Sequence, residues 1–162
     1  MTTWRSADNT AVIFGGGNGI GFAAASQFLS DGMRVLIADK DEDALQNAEN
    51  ALRTKFGDRI VSHPCDVADL EQVESVRDVA FDTFGAVDCV MNNAGVAMRT
   101  GDPWENLETW KTIVEINYWG CPSSKHLGHM ILFHMGGPGS SRFDVKPLVV
   151  DGSSGALGWS VS

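Results

Sequence analysis

The sequence has 162 residues, of which 43% are hydrophobic, so it is long and apolar enough to form one globular domain with a buried core. Its formal net charge of −9 opposes binding to phosphate backbones, and we expect no nucleic-acid partner. No apolar run approaches the roughly 18 residues that a membrane-spanning helix requires, so we expect no membrane association.

The first part of the chain predicts a strand, a glycine-rich turn and a helix in direct succession. An apolar run at residues 11–14 indicates the strand, and a helical pattern follows at residues 20–30. A second apolar run, at residues 35–38, is closed by Asp39, which stands 18 residues beyond Gly21. This order and this spacing are typical of a dinucleotide-binding βαβ unit.

The chemistry of this unit suits a pyrophosphate. Glycines let the backbone approach the phosphates, and the free N–H groups at the start of the helix stabilise their charge. Asp39 would accept hydrogen bonds from an adenosine ribose diol and repel a 2′-phosphate, which favours NAD over NADP, although the adjacent Lys40 opposes this preference. The alternative is that Asp39 only caps a helix that starts near Asp41.

Strand and helix patterns continue to alternate along the chain. A helix is predicted from Asp41, a strand from residue 60, a helix capped by Asp69 and ended by Gly85, a strand at residues 87–91, and then a further helix. The apolar positions that define these three helices are Ala44, Leu45, Ala48, Ala51 and Leu52; Leu70, Val73, Val76, Ala80, Phe81 and Phe84; and Leu107, Trp110, Ile113 and Val114. The alternation predicts an α/β fold with a parallel sheet and helices on both faces.

The composition changes after Gly120. Gly, Ser and Pro make up 18 of the 42 residues from 121 to 162, and only residues 148–150 look like a strand. We therefore divide the chain into a nucleotide-binding region, residues 1–120, and an atypical Gly/Ser/His-rich tail, residues 121–162. The cysteine and histidines of the tail have no spacing typical of zinc ligands, so we expect no metal site.

Four ordered motifs stand in residues 10–120. Gly15, Gly19 and Gly21 fit the pattern T-G-x-x-x-G-x-G apart from its threonine, which Phe14 replaces. The other three motifs are Asp66-Val67, Asn92-Asn93-Ala94-Gly95 and Asn117. In these motifs the chain resembles the short-chain dehydrogenase/reductase family.

The resemblance implies a Rossmann-type fold, incomplete at its C-terminal side, that binds NAD. The implied cofactor-binding residues are Gly15, Asn18, Gly19, Ile20, Gly21, Asp39, Asp66, Val67, Asn93, Ala94 and Gly95. Asp66 is expected to contact the adenine ring, and Asn117 to help hold a proton-relay water. Members of the family transfer a hydride between the nicotinamide and an alcohol or carbonyl carbon.

The catalytic residues of the family are matched only in part. Residues 148–154 loosely resemble its fifth strand, which makes Ser154 the catalytic serine by resemblance, alongside Asn117. The family's Y-x-x-x-K motif has no match, because Tyr118 is the one tyrosine and Pro122 stands where its lysine would follow. We expect either a chain truncated before its tyrosine or a tail that is out of frame from residue 121.

Together these observations predict an oxidoreductase of the short-chain type that binds NAD without efficient catalysis. The expected substrate of full-length relatives is a small alcohol or carbonyl compound, and the alternative function is a non-catalytic nucleotide-binding or partner-binding fragment. Apolar surface left by an incomplete sheet predicts homo-oligomers or aggregation. Sparse cysteines without C-x-x-C spacing, and a start without a signal-peptide pattern, favour a cytoplasmic location.

Overall fold

The computed structural model describes residues 7–96 and 107–119 of the chain. One sheet is formed by four parallel strands, β1 (Thr10–Phe14), β2 (Arg34–Asp39), β3 (Ile60–Pro64) and β4 (Cys89–Asn92). The helices are α1 (Gly19–Ser30), α2 (Glu42–Phe56), α3 (Leu70–Phe84) and α4 (Leu107–Val114). A 3-10 turn, Gly57–Arg59, precedes β3, and a π-helical turn, Glu115–Trp119, follows α4. The predicted α/β fold with a parallel sheet is confirmed.

The strands lie in the order β3-β2-β1-β4, so β1 has a neighbour on each side. Val12 pairs with Leu36 of β2 and with Val90 of β4. The chain builds outwards from β1 to β3 and then returns to the other side of β1 to form β4. Open α/β sheets bind ligands at the carboxyl ends of their strands where the strand order reverses in this way.

Helices cover both faces of the sheet, as predicted. Ala11 and Ile13 of β1 point to the face that α1 and α2 cover, whereas Val12 and Phe14 point to the face that α3 covers. All four side chains are at most 1% exposed. A strand buried on both faces has a continuous apolar run instead of an alternating pattern, which is why residues 11–14 were recognisable in the sequence.

The buried helix faces are narrower than the apolar pattern predicted. α3 buries Val73, Val76, Ala80 and Phe84. Leu70 and Phe81 were included in the same set but are 49% and 40% exposed. Successive residues are turned by about 100° around a helix, so Phe81 points away from the sheet beside the buried Ala80. Ala51 of α2 is exposed beside the buried Leu52 for the same reason.

The bounds of the strands differ from the predicted ones by one or two residues. β4 was predicted at residues 87–91, but Val87 is buried, at 8% exposed, without belonging to the strand. Asp88 fixes the start of the pairing, because its carboxylate accepts from the backbone N–H of Thr10 at 2.8 Å and its own N–H donates to the Thr10 carbonyl at 2.9 Å. At β4, the apolar run therefore indicated which residues are buried, but it gave the bounds of strand pairing only approximately.

Caps define the ends of α3. The Asp69 carboxylate accepts from the backbone N–H of Glu71 at 3.0 Å, as an N-terminal cap does. Gly85 ends the helix in the left-handed conformation with φ of 81°, which favours glycine. Both predictions are confirmed. Among the helices of the two described ranges, none has the length and apolar character needed to cross a membrane.

Candidate functional site

A cavity of about 560 Å³ opens where the carboxyl ends of the strands meet. Nine of the eleven predicted cofactor-binding residues line it, namely Gly15, Asn18, Ile20, Asp39, Asp66, Val67, Asn93, Ala94 and Gly95. Gly19 and Gly21 do not line it. The structure therefore brings most of the predicted residues together around one space, and their binding of a cofactor stays a prediction.

The glycine-rich turn between β1 and α1, residues 15–18, is held against the end of β2. The backbone N–H groups of Gly15 and Gly16 both donate to the Ala38 carbonyl, at 2.7 and 3.1 Å. Gly15 has φ of +75°, and a Cβ there would stand 2.8 Å from the backbone of Ala94. A side chain at this position would thus be strained and would collide with the chain that follows β4.

Gly21 has a packing role rather than a place in the cavity. A Cβ at Gly21 would collide with the carbonyl oxygen of Gly15 and would stand 2.8 Å from the Asn93 amide nitrogen. That amide donates to the same Gly15 carbonyl at 2.9 Å, and the Asn93 backbone N–H donates to Phe14 at 3.1 Å. Gly21 and Asn93 therefore allow α1, the glycine-rich turn and the end of β4 to meet closely.

The start of α1 is open toward the cavity. Asn18 is the N-cap residue, but its side chain makes no capping hydrogen bond, and the first turn contains no acidic residue. Gly19 has φ of +54°, and a Cβ there would meet no atom within 4 Å. A helix start with free N–H groups, no competing carboxylate and open space in front of it is suited to a phosphate group.

Asp39 connects the turn to β2. Its Oδ2 accepts from the backbone N–H of Gly17 at 3.0 Å, and its Oδ1 accepts from that of Asp41 at 3.2 Å. Asp41 itself is the N-cap of α2, accepting from Ala44 N–H at 3.0 Å, so the alternative that Asp39 is the cap is wrong. Each Asp39 oxygen retains a lone pair for a further donor.

The loop after β3, residues 65–69, forms the wall of the cavity beside Asp39. Cys65 donates its backbone N–H to the Asp39 carbonyl at 2.9 Å, which ties the loop to β2. The Cys65 side chain is buried, at 3% exposed, and it lines the cavity. Burial raises the pKa of this thiol to about 12, and the neighbouring carboxylates of Asp66, Asp69 and Asp39 add to the shift. The thiol is therefore neutral near pH 7 and is not an activated nucleophile.

Asn117 lies in the π-helical turn after α4. Its Oδ1 accepts from the backbone N–H of Val96 at 2.8 Å, and its Nδ2 donates to the Val96 carbonyl at 2.9 Å. Its side chain thus fastens the segment that follows the Asn92-Asn93-Ala94-Gly95 motif. Turns of this kind interrupt helices frequently at functional sites. The role of Asn117 in holding a water stays a prediction, and Ser154 lies outside the described residues.

Several lining residues were not assigned from the sequence. They are Lys40, Cys65, Val96 and Ile116, and each is a sequence neighbour of a predicted site residue or motif. Adjacency to a motif was thus the signal available for them. Within the ranges that the structure describes, no three His, Cys, Asp or Glu side chains come together to hold a metal ion.

Comparison with known proteins gives a consistent family assignment. A family model described as short chain dehydrogenase matches residues 9–132. A 1-deoxy-11-beta-hydroxypentalenate dehydrogenase of Streptomyces exfoliatus is 40% identical over 111 residues, which cover 67% of this chain and 40% of that protein. An uncharacterized oxidoreductase of Staphylococcus aureus is 33% identical over 113 residues, covering 70% of this chain and 48% of that protein.

Solved structures show the same likeness. A short chain dehydrogenase/reductase from Burkholderia phymatum in complex with NAD matches with a TM-score of 0.72 and 32% identity, over 78% of this chain and 44% of that one. A 3-ketoacyl-(acyl-carrier-protein) reductase from Brucella melitensis complexed with NADH matches with a TM-score of 0.69 and 26% identity, over 74% of this chain and 48% of that one. The matched part is less than half the length of each of these relatives.

Proposed function

Because the chain belongs to the short chain dehydrogenase family, we propose that its cavity binds NAD and that the function is hydride transfer between NAD and a small alcohol or carbonyl compound. When bound, the nicotinamide supplies the hydride chemistry, and the protein supplies binding, orientation and electrostatics. The observation that carries the proposal is the cavity itself, which joins an open helix start at Asn18 to the carboxylate of Asp39.

The pyrophosphate of the cofactor is assigned to the start of α1. The free backbone N–H groups there, with the positive end of the helix dipole, stabilise phosphate charge. The absence of an acidic residue from the first turn of α1 leaves this attraction unopposed within the helix. Gly19 leaves room for the phosphate oxygens because a Cβ there would point into open space.

The adenosine ribose is assigned to Asp39. Its two oxygens already accept one backbone N–H each, and their remaining lone pairs suit the two hydroxyls of a ribose diol. A 2′-phosphate in the same place would meet a carboxylate and be repelled, which favours NAD over NADP. Lys40 lines the same cavity and acts in the opposite direction, so the preference depends on the balance between the two charges.

Efficient turnover is not proposed for this 162-residue polypeptide. Its one tyrosine, Tyr118, is followed four positions later by Pro122, so the sequence contains no tyrosine–lysine pair at the family's spacing. The proposed hydride transfer therefore rests on the family assignment, and the expectation for these 162 residues by themselves is cofactor binding with little turnover.

A non-catalytic partner-binding role is the second candidate. It is favoured by the apolar stripe of α4, a name we use for Leu107, Trp110 and Val114, which are 66%, 44% and 44% exposed. Soluble monomers rarely keep large apolar side chains exposed together on one helix face.

Calorimetric titration with NAD and with NADP tests the proposal. We expect saturable NAD binding at one site per chain and weaker NADP binding. Failure to bind either dinucleotide would overturn the cofactor assignment and would favour the partner-binding role. Equal affinity for both would overturn the assignment of Asp39 alone.

A further inference from the structure

Gln72 belongs to none of the sequence motifs, yet its side chain contacts the backbone of Asp66, a residue that lines the cavity. It lies in the first turn of α3, with its side chain directed back toward the loop after β3. Its Oε1 accepts from the backbone N–H of Asp66 at 2.9 Å, and its Nε2 donates to Asp69 Oδ2 at 2.9 Å. One amide thus links the loop to the cap of the helix.

Other hydrogen bonds also hold this loop. Its first end is tied to β2 by the hydrogen bond from Cys65 to Asp39. Its second end closes as a turn, since Asp69 donates to the Asp66 carbonyl at 3.0 Å and the Asp66 carboxylate accepts from Ala68 N–H at 3.0 Å. These contacts shape the turn internally. The Gln72 amide is the side-chain contact that joins the Asp66 backbone to α3.

We propose that Gln72 is a positioning residue for the adenine end of the cavity, acting through the backbone of Asp66 and the carboxylate of Asp69. The inference rests on the proposed function, because it gives the loop residues Asp66 and Val67, which line the cavity, the task of contacting the adenosine half of NAD.

The Gln72 amide satisfies both neighbours. Asp66 offers a donor and Asp69 offers an ionised acceptor, so the side chain between them must accept at one atom and donate at another. The side-chain hydrogen bond from Gln72, followed by the backbone N–H groups of Gln72 and Glu71, holds the pKa of the Asp69 carboxyl below its ordinary value. A glutamate would retain the acceptor for Asp66 but would be repelled by Asp69, and a leucine would retain neither contact.

The test compares Gln72→Leu and Gln72→Glu with Gln46→Leu in the 162-residue chain. Gln46 is an exposed glutamine of α2 that contacts Asn50 at 3.4 Å and does not line the cavity, so it controls for the loss of a surface amide. NAD, AMP and nicotinamide mononucleotide are titrated into each variant. Amide hydrogen exchange at Asp66 and thermal unfolding are measured on the same samples.

For Gln72→Leu we expect NAD and AMP affinities to fall roughly three- to tenfold, the effect of one or two lost hydrogen bonds. Nicotinamide mononucleotide affinity should be unchanged, and exchange at Asp66 should be faster. Gln72→Glu should show a smaller loss, and Gln46→Leu none. Equal losses for AMP and nicotinamide mononucleotide would indicate general destabilisation and overturn the inference, as would NAD binding by Gln72→Leu at the unsubstituted level. If the unsubstituted chain bound neither NAD nor AMP, the proposed function would fail and this inference with it.

Discussion

The carboxylate of Asp39 joins two parts of the site that are far apart in the sequence. It accepts from Gly17 in the glycine-rich turn and from Asp41 ahead of α2, and it faces the cavity. The carboxylate therefore stabilises the glycine-rich turn and the start of α2 in the protein without a ligand. A substitution here should change cofactor selection and also loosen the turn.

Asp39→Ala is expected to lower NAD affinity about ten- to a hundredfold, because hydrogen bonds to a charged group contribute roughly 1.5–3 kcal/mol. The affinity for NADP should fall less, since the repulsion of its 2′-phosphate disappears with the carboxylate. Titration of both cofactors measures the change. Asp43→Ala is the matched control, because it removes the same charge from an exposed position that does not line the cavity. A variant that kept the unsubstituted ratio of NAD to NADP affinity would contradict the assignment.

Cys65 is expected to resist alkylation in the folded protein. Raising its pKa from 9.0 to about 12 lowers the thiolate fraction near pH 8 by about a thousandfold, and the thiolate is the reactive form. Mass spectrometry of the Cys65 peptide after iodoacetamide treatment, with and without denaturant, measures this protection. Rapid labelling of Cys65 in the native protein at pH 8 would show that the loop opens or that the thiol is less buried than the structure indicates.

At the level of single residues, the sequence identified the polar residues that line the cavity more completely than the apolar ones, whereas Gly19 and Gly21, two of the four predicted glycines, do not line it. Asp39, Asn93 and the glycines carry a chemical or conformational signal of their own. Cys65 and Ile116 do not, because an apolar side chain in a cavity wall looks the same in a sequence as one in the core. Gln72 was missed since its role depends on a contact with Asp66, six residues away across the start of a helix.

At the level of secondary structure, α1 packs closely against the ends of β1 and β4 because residue 21 is a glycine. The Gly15 carbonyl fills the space where a Gly21 side chain would be, and the Asn93 amide binds that carbonyl. α1 is therefore held close to the sheet at its N-terminal end, where the proposed phosphate site begins. This contact makes the position of the helix sensitive to a single methyl group.

Gly21→Ala is expected to lower the free energy of unfolding by about 1–3 kcal/mol, the usual effect of overpacking a close contact. Gly57→Ala is the matched control, because Gly57 does not line the cavity. It introduces the same methyl group into open space at φ of +67°, so its expected effect is about 1–2 kcal/mol of backbone strain. Chemical denaturation measures both variants, and NAD titration should show weakened binding for Gly21→Ala alone. If Gly21→Ala were as stable as the unsubstituted protein, the close approach of α1 would be disproved.

Strands and helices were predictable to within one or two residues because their patterns record burial. The continuous apolar runs of β1 and β2 reflect coverage on both faces, and Asp69 and Gly85 carry the local chemistry of helix ends. The π-helical turn at Glu115–Trp119 was not predictable. It exists where the Asn117 amide pairs with the backbone of Val96, 21 residues away, and no local preference of the sequence encodes that partner.

At the level of the whole molecule, the described residues leave an apolar surface on α4. Self-association in solution is expected, and Leu107→Ser with Val114→Ser should reduce it together with the binding of a hydrophobic dye. Phe81→Ser is the control, because it removes a large apolar side chain that is 40% exposed on a different helix, α3. Sedimentation velocity measures the association. A strictly monomeric unsubstituted chain at high concentration would contradict the expectation.

Turnover is also a property of the whole polypeptide. No NADH should form above background when the 162-residue chain is given NAD and simple alcohols, because neither Asn117 nor Ser154 can exchange a proton near neutral pH. The absorbance of NADH measures the reaction, with an active short-chain dehydrogenase as positive control. NADH formation that was lost in Tyr118→Phe would contradict this expectation and would assign the proton transfer to Tyr118.

The strand order also sets a sequence of events during synthesis. Two contacts dock β4 against β1, Thr10 with Asp88 at the start of the strands and Gly15 with Asn93 beside the cavity, and each spans 78 residues. A ribosome adds about 5–20 residues per second, so the glycine-rich turn and Asp39 emerge several seconds before the residues that close the site around them. Joining ends so far apart also carries the largest loop-closure entropy in the sheet. Nascent chains stalled before β4 should therefore not retain the dinucleotide. The cofactor can stabilise only those chains in which β4 has docked against β1.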